Sequence, residues 1–240
     1  MKLTLHILVN LFEVFYMNSK QILAPLIASV LILAGCTGIE SETSKFYGED
    51  ITPNVLVDDF TLVNGDGEDW NFNNETENKI VIIAFLFTNC IDICPIVTEN
   101  LRWVHSQLSP EEHNQTQFLT ITVDPWRADV PTLFEWQYYR NVSWPHVTAN
   151  STEENAPQFQ TIQSIWNNFA VGLSIEEQEL EETGNNSTAA RHHPDAYSVN
   201  HSTGTVIVDA NGMQRIWWGD NDWITDLFLS DVRTLIAEIE

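Results

Sequence analysis

Residues 79–95, KIVIIAFLFTNCIDICP, contain the strongest structural signal in this chain. Its first part, Lys79 to Phe87, is a continuous apolar run rich in β-branched residues, which is typical of a central strand covered on both faces. Pro95 follows the second cysteine, and apolar residues then recur at helical spacing. We therefore predict a core strand that passes directly into a helix, which begins close to Cys94 and ends near Ser109.

The segments on either side of this unit supply further strands and helices. Additional strands are predicted at residues 60–63, 70–72, 118–123, 197–199, 205–208 and 214–218. Additional helices are predicted at residues 131–139, 156–169 and 223–239. This order predicts an α/β three-layer sandwich, in which helices flank a mixed central sheet and a hairpin opens the domain. It resembles the order of thioredoxin-like folds.

One segment does not fit the sheet pattern. Residues 172–195 are rich in glutamate up to Glu182 and then polar, with a Gly-Asn-Asn-Ser run. Such a composition is typical of a surface loop, so we interpret this segment as an acidic surface insertion. His192 and His193 end it and are candidates for extra metal affinity, although exposed loop histidines are more often solvated.

The N-terminus has the pattern of an export signal. Residues 22–34 form an apolar run of the length of a signal-peptide core, and this run ends in Leu-Ala-Gly-Cys at Cys36. The tetrapeptide resembles a lipobox, so we interpret residues 1–35 as a signal peptide, with the true start at Met17, and Cys36 as the lipidated residue. The alternative is a retained hydrophobic anchor with an incidental Cys36. Either interpretation places the domain on the extracytoplasmic face of the cell membrane.

The remaining chain divides into a tether and a domain. Residues 36–54 are polar and acidic with no apolar period, which predicts a flexible tether between lipid and domain. A single domain is predicted for residues 55–240, since no repeat and no second core are evident.

The charge of the chain excludes some classes of partner. The formal net charge is −24 over 240 residues, with only 10 lysines and arginines. Such a surface repels phosphate backbones and anionic lipids, so nucleic acid is excluded as a partner. It attracts cations and basic partners, and it equally suits solubility in salt.

Two cysteines stand where the core strand meets its helix. Free backbone N–H groups and the helix dipole favour negative charge there, so a thiolate is favoured at Cys90 or Cys94. A thiolate is both a nucleophile and a soft metal ligand. The spacing of four residues places both sulfurs on one helical face, which allows a shared metal ion, a redox-active pair or a structural disulfide.

Three blocks of sequence resemble the Sco/SenC family. Residues 87–95, FTNCIDICP, look like its F-x-x-C-P-D-x-C-P signature. Residues 123–131, VDPWRADVP, are similar to its V-D-P-x-R-D-T-P segment, and residues 197–202, YSVNHS, resemble its Y-x-V-D-H-S strand. Ile91 stands where the family has proline, and Asn200 replaces the aspartate before the histidine.

The resemblance implies a copper site and a function. It assigns Cys90, Cys94 and His201 as copper ligands, in a chain that binds copper as cargo and delivers it to the binuclear copper site of a terminal cytochrome oxidase subunit. On this interpretation the chain is a metallochaperone rather than an enzyme. The leading alternative is a thiol-disulfide oxidoreductase that reduces partner cysteines before metal insertion. A peroxidase and a domain with an inert disulfide are weaker alternatives.

Three charged residues are expected to support the site. Asp92 is the candidate for a capping or supporting carboxylate at the start of the helix. Asp124 and Arg127 are expected to brace the neighbouring loop through a charge-assisted bond. A purely structural role in their loops is the alternative for each of them.

Overall fold

The computed structural model describes residues 44–177, 197–202 and 204–239. The strands are β1 Glu49–Leu56, β2 Thr61–Asn64, β3 Asp69–Asn71, β4 Ile80–Leu86, β5 Thr116–Thr122, β6 His146–Thr148, β7 Leu173–Glu177, β8 Tyr197–His201, β9 Gly204–Val208 and β10 Met213–Gly219. The helices are α1 Phe72–Thr76, α2 Ile93–Gln107, α3 Pro110–Asn114, α4 Val130–Arg140, α5 Pro157–Asn168 and α6 Thr225–Ile236.

Eight of the strands form one mixed sheet around β4. Their order is β1-β10-β9-β4-β5-β6-β2-β3, with β4, β5 and β6 parallel to one another and the other pairs antiparallel. Every residue of β4 is buried, which confirms the prediction of a central strand covered on both faces. The remaining two strands, β7 and β8, pair with each other in a separate antiparallel sheet.

Helices cover both faces of the large sheet, as predicted. Alternate residues of β4 point to opposite faces because side chains in a strand alternate. Ile82 and Ala84 join a core with Leu101 of α2 and Phe228 of α6. The neighbouring residues of β4 join a second core with α5, whose contribution consists of Phe159, Ile162, Ile165 and Trp166. The result is the three-layer α/β sandwich expected from the sequence.

The predicted boundary between tether and domain is wrong. β1 pairs with β10, and Phe46, which precedes it, is buried in the core beside α6. The main-chain N–H groups of Tyr47 and Gly48 donate to the carboxylate of Asp231 at 2.9 and 2.8 Å. Residues 44–54 are therefore part of the domain, because sheet pairing and a buried carboxylate satisfy their backbone. The predicted signal peptide and Cys36 lie outside the described residues.

The first part of the predicted surface insertion is a strand. Leu173–Glu177 forms β7, which pairs with β8 from Leu173 opposite His201 to Glu177 opposite Tyr197. Residues 178–196, including His192 and His193, lie outside the described part of the chain. Within the described part, no helix has the length and apolar composition needed to cross a membrane.

Candidate metal centre

Cys90 and Cys94 lie at the junction between β4 and α2. The amide of Cys90 donates to the carbonyl of Phe87 at 3.3 Å, which turns the chain after the strand ends. Cys94 is in the first turn of α2 and is 1% exposed, whereas Cys90 is only partly buried. Both thiols are free, so the pair is in its reduced form.

The pKa values of the two thiols are shifted in opposite directions. The Cys94 thiol donates to the Cys90 sulfur, and together with the amides of Cys94, Asp92 and Ile93 it lowers the pKa of Cys90 to about 6, against the opposing effect of burial. The same hydrogen bond, with burial, raises the pKa of Cys94. At neutral pH the junction therefore holds a half-buried Cys90 thiolate beside a buried Cys94 thiol, as helix N-terminal amides favour.

His201 reaches the same edge of the sheet through β8 and β9. β9 runs antiparallel to β4, with Thr205 opposite Ala84, so the start of β9 lies beside the end of β4. The His201 ring packs edge-on against the Phe87 ring, with 5.7 Å between the ring centres. Phe87 is three residues before Cys90, so the topology brings the imidazole to the cysteine junction across more than a hundred residues of sequence.

The hydrogen bonding of His201 decides which nitrogen is available. Its Nδ1 lies 3.0 Å from the carbonyl of Ser202 and donates to it, so in the neutral ring the lone pair is on Nε2. Burial lowers the pKa of His201, which favours this neutral form. Among the described residues, however, no three His, Cys, Asp or Glu side chains lie close enough to hold a metal ion together. The two thiols interact through a hydrogen bond, and the imidazole lies nearby without joining them.

Asp124 and Arg127 form a buried ion pair that extends to β8. The Arg127 Nε donates to Asp124 at 2.5 Å, with both side chains almost fully buried. The Tyr197 hydroxyl donates to the other oxygen of Asp124, and an Arg127 Nη donates to the Tyr197 carbonyl at 3.1 Å. The guanidinium also lies 3.9 Å from the centre of the Tyr197 ring. Because Tyr197 is the first residue of β8, this network fixes the strand that ends in His201.

The capping role predicted for the Asp92 side chain is wrong. Asp92 is the N-cap residue of α2, but its exposed carboxylate accepts no capping hydrogen bond. Its backbone angles, φ −106° and ψ −93°, differ from the extended conformation that brings an N-cap side chain to the first amides. The backbone N–H of Asp92, rather than its carboxylate, acts on the site through Cys90.

Asp220 is a residue at this site that sequence reasoning missed. It follows the last residue of β10, Gly219, which pairs with Gly204 at the start of β9. Asp220 is 4% exposed, and its negative charge contributes to raising the pKa of Cys94. The available signal was an acidic residue directly after a strand that ends at the edge of the sheet where β4 also ends.

Comparison with known proteins identifies the family. A family profile described as SCO1/SenC matches residues 48–236. The chain belongs to the SCO1/SenC family. A protein of Stutzerimonas stutzeri named for copper binding is 28% identical over 151 residues, which cover 62% of this chain and 63% of that protein, less than two thirds of its length.

Solved structures support the same fold for this SCO1/SenC chain. Arabidopsis thaliana ScoI, solved with copper bound, has a TM-score of 0.60 and 20% identity, with 76% of this chain and 99% of that chain covered. A SCO1/SenC family lipoprotein from Bacillus anthracis has a TM-score of 0.58 and 20% identity, with 77% and 96% covered. The thioredoxin-like fold predicted from the sequence is confirmed.

Proposed function

We propose that this SCO1/SenC chain is a lipid-anchored extracytoplasmic copper chaperone that delivers copper to the binuclear copper site of a terminal cytochrome oxidase subunit. The observation that carries the proposal is the convergence of three soft or borderline donors at one edge of the sheet. The Cys90 and Cys94 thiols interact through a hydrogen bond, and His201 packs against Phe87 of the same junction.

The donor set suits copper as cargo. Thiolates select soft ions such as Cu(I), and imidazole is a common copper ligand. The Cys90 thiolate already exists at neutral pH, the lone pair of His201 is on Nε2, and copper binding would displace the proton of Cys94. The imidazole must approach the sulfurs to complete the site. We therefore expect copper binding to shift the end of β8 towards α2.

The surface around the thiols suits transfer to a partner. Ile91, between the two cysteines, is 97% exposed, so the junction projects from the domain. A copper ion held by only three ligands can accept a fourth ligand from an incoming protein, which allows transfer by ligand exchange. The acidic surface, with a net charge of −24, favours copper ions and basic patches on the acceptor.

A lipid on Cys36 would confine this domain to the membrane surface. Confinement raises the effective concentration of the domain near an integral oxidase subunit without a large interface. The family likeness to a Bacillus anthracis lipoprotein supports this part of the proposal. Asp124 and Arg127 would serve the site by holding Tyr197, and through it the strand that carries His201.

The same thiols support a second candidate function, thiol-disulfide exchange with a partner protein. An accessible thiolate with a pKa of about 6 next to a buried thiol of raised pKa is the arrangement of an attacking and a resolving cysteine. Such exchange needs both sulfurs but no imidazole nitrogen. Copper transfer needs both sulfurs and the imidazole nitrogen.

Substitution of His201 separates the two functions. In His201→Ala we expect Cu(I) affinity to fall at least about tenfold, as for the loss of a metal ligand, while the rate of disulfide exchange with a small disulfide stays within about twofold. Ser198→Ala, at an exposed position on the same strand, is the matched control and should change neither. Unchanged Cu(I) affinity in His201→Ala, with exchange also unchanged, would instead favour the oxidoreductase.

A further inference from the structure

A second pair of imidazoles lies far from the cysteines and has no part in the proposed function. His105 on α2 and His113 on α3 are both partly exposed, and their ring centres are 4.4 Å apart with 62° between the ring planes. His105 is eleven residues after Cys94 on the same helix, which corresponds to about 16 Å along the helix axis. The pair is therefore separate from the cysteine junction.

The connection between the two helices fixes this spacing. α2 ends at Gln107, and α3 begins at Pro110 with a capping box formed by Ser109 and Glu112. Arg233 of α6 donates to both Glu112 oxygens, at 2.6 and 3.2 Å, and to the carbonyl of Gln107 at 3.0 Å. One guanidinium thus ties the end of α2 to the start of α3, so the two histidines meet on a braced turn.

The spacing matches that of two imidazoles on one metal ion. With metal–nitrogen bonds of about 2.0 Å and a ring nitrogen about 1.1 Å from its ring centre, two ligand rings at angles of 90–110° have centres about 4.4–5.1 Å apart. The observed 4.4 Å lies within this range. The ring spacing is therefore compatible with one ion shared by the two imidazoles.

The surroundings of the pair favour a neutral ligand and a cation. His105 packs against the rings of Phe118 and Trp144, at 5.1 and 5.7 Å between centres, and burial together with the charge of His113 lowers its pKa. A neutral imidazole is the form that binds metal. Glu111, which is exposed in the same short helix as His113, adds negative charge to this turn.

We propose that His105 and His113 form a surface site for a divalent transition-metal ion that prefers nitrogen ligands, the class of Cu(II), Ni(II) and Zn(II). The two imidazoles supply the protein ligands, and water completes the coordination. The site does not depend on the proposed copper-transfer function, since it shares no residue with the cysteine junction. The competing explanation is that the two rings only extend the aromatic packing around Phe118.

Zn(II) binding to the full chain tests the proposal. Cys90 and Cys94 are both replaced by serine, which removes the thiol ligands, and bound Zn(II) is counted by equilibrium dialysis. We expect one equivalent to bind, and its affinity to fall at least about tenfold in His105→Gln and in His113→Gln. The double variant H192Q/H193Q is the matched control, because it removes two histidines at other positions of the sequence and should leave this site intact.

A second measurement does not depend on the folding of the variants. In the chain with Cys90 and Cys94 replaced by serine, one equivalent of Zn(II) should shift the imidazole proton resonances of two histidines, and these should be the two that disappear in the single variants. The proposal is overturned if no histidine resonance shifts at one equivalent. It is also overturned if the equivalent is lost in the H192Q/H193Q control but kept in both single variants.

Discussion

Replacement of Arg127 by methionine tests the buried network that holds β8. Arg127 forms an ion pair with Asp124, donates to the Tyr197 carbonyl and lies over the Tyr197 ring. Methionine retains much of the apolar volume but leaves the Asp124 carboxylate, which is 1% exposed, without its cation. Breaking a buried pair in this way costs about 3–5 kcal/mol, a large part of the roughly 5–15 kcal/mol of stability typical of a domain.

Urea denaturation followed by tryptophan fluorescence gives the free energy of unfolding. The matched control is Arg102→Met, because Arg102 forms the same i,i+3 pair with Glu99 on the exposed surface of α2. We expect a cost below about 1 kcal/mol there. Adding Asp124→Asn to Arg127→Met removes the uncompensated charge and should recover at least about 2 kcal/mol.

Arg127→Met should also weaken copper binding. With β8 no longer anchored through Tyr197, Cu(I) affinity should fall about 10-fold to 100-fold, the usual effect of losing a residue that orients a ligand. A loss of stability in Arg127→Met no larger than that in Arg102→Met would show that the buried ion pair does not hold β8. So would a double variant that is no more stable than Arg127→Met.

Three further predictions follow from the pKa values of buried groups. The rate of Cys90 alkylation should rise with increasing pH, with a midpoint near pH 6. Cys94→Ala removes the thiol donor and should move that midpoint to higher pH. A midpoint above pH 8 in the unsubstituted chain would contradict this prediction. His146 is buried, and burial lowers its pKa to about 3. Below pH 6.5 the imidazole is therefore protonated in the unfolded chain but stays neutral in the folded chain. Stability should therefore fall by about 2 kcal/mol between pH 7 and 5 through this residue alone, and denaturation of His146→Gln should lack that part of the loss. Asp220→Asn should lower the pKa of Cys94 and so raise the rate of Cys94 alkylation at a given pH in a Cys90→Ser background; an unchanged rate would exclude an electrostatic role for Asp220.

The sequence predicts the centre of the fold better than its margins. The run of residues 79–87 predicts β4 because a strand buried on both faces needs apolar residues at every position. β1 has no such signal, since most of its residues are exposed and its pairing with β10 depends on main-chain groups that any sequence carries. For the same reason the sequence does not predict β7, which lies in an acidic segment and pairs through main-chain groups.

The site shows a similar division. Cys90 and Cys94 could be predicted as chemically active because both their spacing and their position at a helix start are local features. His201 was assigned through resemblance, since no local pattern shows that β9 returns beside β4. The only sequence signal for Asp220 is its place directly after a strand, and the position of that strand beside the site depends on tertiary packing. The contact of Arg127 with Tyr197 joins distant segments, so a single sequence carries no direct sign of it.

The amount of Cu(I) bound by the purified full chain under reducing conditions tests the proposed copper site without intermediate steps. We expect one Cu(I) per chain, held by Cys90, Cys94 and His201, with binding lost in Cys90→Ser and Cys94→Ser and at least about tenfold weaker in His201→Ala. Stoichiometric binding that survives both cysteine substitutions would contradict this expectation.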